Sequence, residues 1–129
     1  MTKSTVVVRL KDKTLLKGKI SNFSQFDNLF ELELLNGDLQ IVDIDNIKAI
    51  FFVKSFEGNK KHQYQYKDNL LWAGDKITLT FADGEKMVGY TQNLDFINNK
   101  GVLITPADVN GNNKHVFASK SAIDSMFVL

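Results

Sequence analysis

The run Ile47-Lys48-Ala49-Ile50-Phe51-Phe52-Val53-Lys54-Ser55-Phe56-Glu57-Gly58-Asn59, near the middle of the chain, constrains the fold more than any other stretch. Its apolar residues fall on both parities: Ile47, Ala49, Phe51 and Val53 on one, Ile50 and Phe52 on the other. Side chains alternate between faces along a strand, so a strand apolar at both parities needs cover on both faces. The run reads as the last strand of a first β unit, with a second unit pressed against its outer side. Gly58-Asn59 ends it.

The segments before it alternate in the manner of half-buried strands. Val6, Val8 and Leu10 point inward while Val7, Arg9 and Lys11 point outward. After the turn Asp12-Lys13-Thr14, Leu16, Gly18 and Ile20 continue inward, with Lys17 and Lys19 outward. Leu29 to Leu34 alternates again and leaves Glu31 and Glu33 on the wet face. Asn36-Gly37 is a strong hairpin signal. Leu39 to Ile44 makes a fourth strand, and Asp45-Asn46 turns the chain into the central run.

The second half restates this plan. Leu79-x-Phe81-x-Asp83-x5-Gly89 follows Val8-x-Leu10-x-Asp12-x5-Gly18, and Ile123 to Leu129 follows Ile47 to Val53. Gly111-Asn112-Asn113 stands where Asn36-Gly37 does. Matched ends around variable middles imply a copied unit of roughly 50 residues. One unit of that size buries too little apolar surface to be robust alone, so two should shelter each other. The expectation is an all-β protein of two tandem five-stranded small barrels packed through residues 47–56. The first barrel takes residues 1–56, an ordered connector 57–74, and the second barrel 75–129. No apolar period of three and four is sustained, so no amphipathic helix is expected.

The order of hydrophobic strand, Asp83-Gly84 turn, strand centred on Gly89 and five-strand closure resembles the Sm-like small β-barrels. A closer resemblance is to a bacterial domain family of unknown function. It rests on residues 47–58, Phe81-x-Asp83-Gly84-Glu85, Gly89-Tyr90-Thr91-Gln92, Pro106-Ala107-Asp108 and Asn112-Asn113, and covers nearly the whole chain. It implies a two-copy barrel in a bacterial cytoplasm and no activity. The chain departs from that family at Lys13, where glycine is usual, and at Leu94-Asp95-Phe96-Ile97, where a proline-containing loop is common.

Chemistry is sparse in this sequence. There is no cysteine, which excludes disulfides, thiolate metal sites and cysteine nucleophiles and fits a reducing compartment. His62 has no carboxylate at a recognisable spacing and His115 falls in an expected strand, so both read as surface or packing residues. Asp43 and Asp45 could share one side of a strand and hold a cation, but a solvated strand end is the better reading. Asp108-x-Asn110-x-Asn112 imitates a calcium loop, yet Asn113 and Ser119 stand where glycine and glutamate are needed. Asp12 and Asp83 suit turns, and Gly18 and Gly89 suit hard strand bends. The chain is expected to be no enzyme and to need no cofactor or metal.

Partners are harder to read. The 16 basic residues nearly balance the 15 acidic ones, so net charge favours neither nucleic acid nor membrane. No leader is recognised and no run of about 18 apolar residues is present, so a cytoplasmic protein is expected. Arg9, Lys11, Lys17 and Lys19 share an outer face, and Sm-like RNA or nucleotide binding through them is the second reading. Glu31, Glu33, Asp43 and Asp45 offset that patch. Cyclic-dinucleotide sensing of the PilZ kind needs paired arginines, and Arg9 is the only arginine. In the second copy the same face holds Thr80, Ala82, Val88 and Tyr90. A face that loses its charges invites a cover. The first reading is therefore a non-catalytic protein-interaction or regulatory module of unknown protein partner, a second copy of itself included. Its expected contact residues are Val88, Tyr90, Thr91 and Gln92, together with Tyr64, Tyr66 and Trp72 of the connector.

Overall fold

The alternating segments become strands where their pattern places them. A computed structural model describes residues 3–21, 23–24, 27–54, 74–92, 100–107 and 112–129. The first half holds β1 (Ser4–Leu10), β2 (Leu15–Ile20), β3 (Leu29–Leu34), β4 (Leu39–Asp43) and β5 (Ile47–Val53). The second holds β6 (Asp75–Phe81), β7 (Lys86–Thr91), β8 (Gly101–Pro106), β9 (Asn113–Ser119) and β10 (Ile123–Val128). One-turn 3-10 helices at Ile44–Asn46 and Lys120–Ala122 join the last two strands of each half.

The strands make one ten-stranded sheet in the order β10-β6-β7-β8-β9-β5-β1-β2-β3-β4. All its pairings are antiparallel. The all-β expectation holds, but the sheet does not close into two barrels. The reason lies at β5. One edge of β5 pairs with β1, and the edge that would close its own half pairs instead with β9 of the other half.

The halves nonetheless run in one order: β5-β1-β2-β3-β4 in the first and β10-β6-β7-β8-β9 in the second. Their first turns also carry the same backbone bonds. Leu10 N–H donates to Thr14 O, and Phe81 N–H to Glu85 O. Lys11 N–H donates to Asn46 O, and Ala82 N–H to Ala122 O. The carboxylates of Asp12 and Asp83 accept from the amides of Thr14 and Glu85 at 2.9 and 3.0 Å.

Each half curls around its own core. Val42 of β4 and Ile50 of β5 belong to one cluster with Val6, Val8, Ile20, Phe30, Leu32, Ile44 and Ile47. In a flat sheet those two strands would stand about 19 Å apart, at roughly 4.8 Å per strand step. The bend falls at the narrow β2–β3 and β7–β8 pairings, where Gly18 meets Leu34 and Gly89 meets Pro106. A Cβ at Gly18 would collide with the backbone oxygen of Glu33, and one at Gly89 with Ile104 and Thr105. Bare backbone is what lets the strands approach there.

The central strand serves both cores. Ile50 and Phe52 turn to the first, while Ala49 and Phe51 turn to the second, with Ile77, Leu79, Phe81, Val102, Ile104, Val116 and Ala118. Ile47 shares Ala49's parity yet enters the first core. A register shift accounts for it: Arg9 pairs with Ala49 but Leu10 pairs with Ile47, which skips Lys48. β9 returns the favour, since its Phe117 enters the first core. Phe23 packs edge-on against Phe117 there, with ring centroids 4.8 Å apart. Among the described residues no helix is long and apolar enough to cross a membrane.

Candidate functional site

The turn after β1 and the turn after β6 face each other across the joint between the halves. Between them lies a cleft of about 500 Å³ lined by Arg9, Leu10, Lys11, Lys13, Leu15, Lys48, Phe81, Ala82, Asp83, Ser121 and Ala122. Lys48 is its organising residue. The skipped position in β5 swings this side chain toward the second half, where it is 5% exposed. Its ammonium lies 2.7 Å from Asp83 Oδ2 and 3.1 Å from Glu85 Oε1, and 4.6 Å from the centre of the Phe81 ring. A buried ammonium is tolerated only with such partners.

The neighbouring cations are committed to the same joint. Arg9 Nη1 stands 3.7 Å from Glu85 Oε2, and Lys11 Nζ donates to Ser121 Oγ at 2.7 Å. Ser119 Oγ, fully buried, donates to Ile44 O at 2.9 Å. The hydrogen bond from Lys48, then that from the Glu85 amide, holds the Asp83 carboxyl below its ordinary value of 3.8. The cleft therefore contains paired charges on apolar walls. It can hold the halves in register. Among the described residues no group of three or more histidines and carboxylates is placed to share a metal ion.

The residues expected to bind are scattered. Val88 is partly exposed and Gln92 is exposed, but Tyr90 and Thr91 are buried within the chain. Tyr64, Tyr66 and Trp72 lie outside the described residues, as does His62. Of the four cations on the first hairpin, Arg9 and Lys11 are drawn into the joint. Lys19 pairs across the ladder with Glu33, which also bonds Lys3, and Lys17 is exposed opposite Val7. The Glu33 carboxyl is held low, first by the Lys3 hydrogen bond. Asp43 caps the short helix that follows it, accepting from the Asp45 amide at 2.9 Å. His115 is exposed on β9, opposite Phe52.

Two features lie outside those expectations. Lys48 was one polar letter in the most apolar run; its signal was that a charge on a doubly covered strand demands counter-charges, and Asp83 and Glu85 stand where the first turn has Asp12 and Thr14. The other feature is the pair of outer edges. Leu39 and Ile41 on β4 are 64% and 60% exposed, and Phe127 and Val128 on β10 are 63% and 55% exposed. Among the described residues no strand pairs with the outer side of either.

No curated protein and no solved structure gives a significant match to the chain. A family model does match, over residues 2–129, and the chain belongs to that family, described as a family of unknown function (DUF6982).

Proposed function

We propose that the chain is a non-catalytic protein-interaction module of the bacterial cytoplasm, built from a duplicated small Sm-like unit, that meets its partner through the outer strand edges β4 and β10. The observation that carries this is the placement of Leu39, Ile41, Phe127 and Val128, large, apolar and open to water, on the two strands that end the sheet. An edge strand offers unpaired backbone donors and acceptors, and protein edges are usually blunted by charge or cover. These two are not blunted at those positions. The shared strand order and matched turn bonds support the duplication, with the closing strand of each unit turned over to a neighbour.

Affinity capture with the full chain, compared with Ile41→Lys and Phe127→Asp, tests the reading. Protein partners that survive moderate salt and are lost in an edge variant support it, because apolar and backbone contacts are weakly screened. Nucleic acid that is captured instead, released steeply by salt and abolished by charge reversal at Lys17 and Lys19, overturns it.

A further inference from the structure

The junction inside the chain is a template for one outside it. β9 holds in the second half the place that β4 holds in the first: each is the last strand in its half's order and precedes a one-turn 3-10 helix. β5 and β10 correspond in the same way. The β5–β9 ladder thus joins the fifth strand of one unit to the fourth strand of the next. The two strands left with an unpaired outer edge among the described residues are a fifth strand, β10, and a fourth strand, β4.

We propose that β10 of one copy pairs antiparallel with β4 of a second copy of this chain, in the register that β5 and β9 use. This rests on the interaction-module reading and names its partner. The internal pairs Ala49 with Ala118, Ile50 with Phe117, Phe51 with Val116 and Phe52 with His115 fix the register. Carried outward, they set Ser125 against Val42, Met126 against Ile41, Phe127 against Gln40 and Val128 against Leu39 of the second copy.

The faces agree with this register. Ile50 turns to its own half's core, and Phe117 arrives from β9 to join it. Met126 likewise packs against the second half's core, and Ile41 of the second copy arrives beside it. On the other face, Val116 and Ala118 belong to the core of β9's own half, as Val42 belongs to the core of β4's half. The exposed Ile41, Leu39, Phe127 and Val128 are covered in one step. The contact joins two different surfaces, so repeating it gives a ring if the rotation closes and a filament if it does not.

The polar half of the template is missing. Asp124 stands where Lys48 does, and the turn it would face carries Asp12 and Thr14 in place of Asp83 and Glu85. The outer contact is therefore weaker than the internal one and depends on concentration.

Sedimentation of the full chain over a concentration series tests the pairing. The wild type should shift from monomer to larger species, and Asp124→Lys should make that shift at lower concentration. Ile41→Lys and Phe127→Asp alter residues that are exposed in the single chain. Each should keep the wild-type circular dichroism and stay monomeric alone. Mixed, they should form a one-to-one dimer and nothing larger, because each supplies one intact edge. A dimer of Ile41→Lys alone overturns the proposal, since it means β10 pairs with itself. A wild type that stays monomeric at its highest soluble concentration also overturns it. If such a monomer still captures another protein through its edges, the module reading stands; if it captures nothing, both fall.

Discussion

Two places in the molecule use the same pair of strands and treat them differently. At the seam, β5 and β9 are paired, and from Ile47 to Ile50 and from Val116 to Ser119 every residue is buried. At the rims, β10 and β4 hold the corresponding positions, and most of those side chains are exposed or half-buried. Sequence differences follow the difference in cover. The seam has Phe117 and a buried Lys48 with two counter-charges; the rims have Ile41 and an exposed Asp124. A strand's character here is set by which neighbour takes its free edge, and only secondarily by its place in the unit.

The largest effect should separate seam from rim. Phe117→Ala removes a fully buried ring that reaches the first core and should cost about 3–5 kcal/mol of unfolding free energy. Ile41→Ala, at the matching rim position, should stay within about 0.5 kcal/mol in dilute solution, where no second copy covers it. Urea unfolding of both variants measures the contrast. Equal losses would mean that β4 is covered in the single chain.

This contrast also explains what could be read from sequence. Strand positions were legible because alternation is a local property: Phe30, Glu31, Leu32 and Glu33 announce their faces without knowing the rest of the fold. The likeness of the two first turns was legible for a similar reason, since Asp12 and Asp83 each accept from the amide two residues on. Which edge pairs with which was not legible. The apolar content of Ile50 and Phe52 demands a cover, but it is satisfied equally by a closing strand of the same half or by β9 of the other. Closure into barrels was thus expected where an open sheet forms. The place of Lys48 is not legible because a one-residue shift in the β1–β5 ladder moves a side chain to the opposite face. Tyr90 and Thr91, expected as contact residues, are buried by the chain itself.

A smaller effect should come from the charges at the joint, which the rims lack. Asp83 is held below 3.8 by Lys48 and the Glu85 amide in the folded chain. A carboxyl whose pKa is depressed by folding contributes stability that is fully present above its unfolded value, about 3.9. That contribution fades as pH falls through the lower, folded value. Asp83 is half-exposed, so water offsets much of what Lys48 gives it. Asp83→Asn should therefore lower the melting temperature modestly near neutrality and flatten the acid limb below about pH 4. Asp12 is held low as well, first by its Thr14 hydrogen bond, and among the described residues no cation pairs with it across a joint. Asp12→Asn should change that limb less. Equal changes at both positions would mean that the turns, and not the joint, set the acid response.

The smallest effect separates the two turns themselves. Gly84 has φ of 93° and Lys13, at the same place after β1, has φ of 75°. The turn needs a left-handed residue in both halves, because the same backbone bonds close it. For a residue with a Cβ that conformation costs about 1–2 kcal/mol, and glycine adopts it freely. Glycine also gives the unfolded chain more freedom, which returns part of the gain. Lys13→Gly should stabilise the fold by about 0.5–1 kcal/mol in urea unfolding. Lys13 also lines the cleft beside Lys48 and Asp83. If the strained lysine is kept for a contact there, Lys13→Gly would raise stability while changing what the cleft or the edges bind. If it is only an imperfect copy of Gly84, stability would rise and binding would stay as it was.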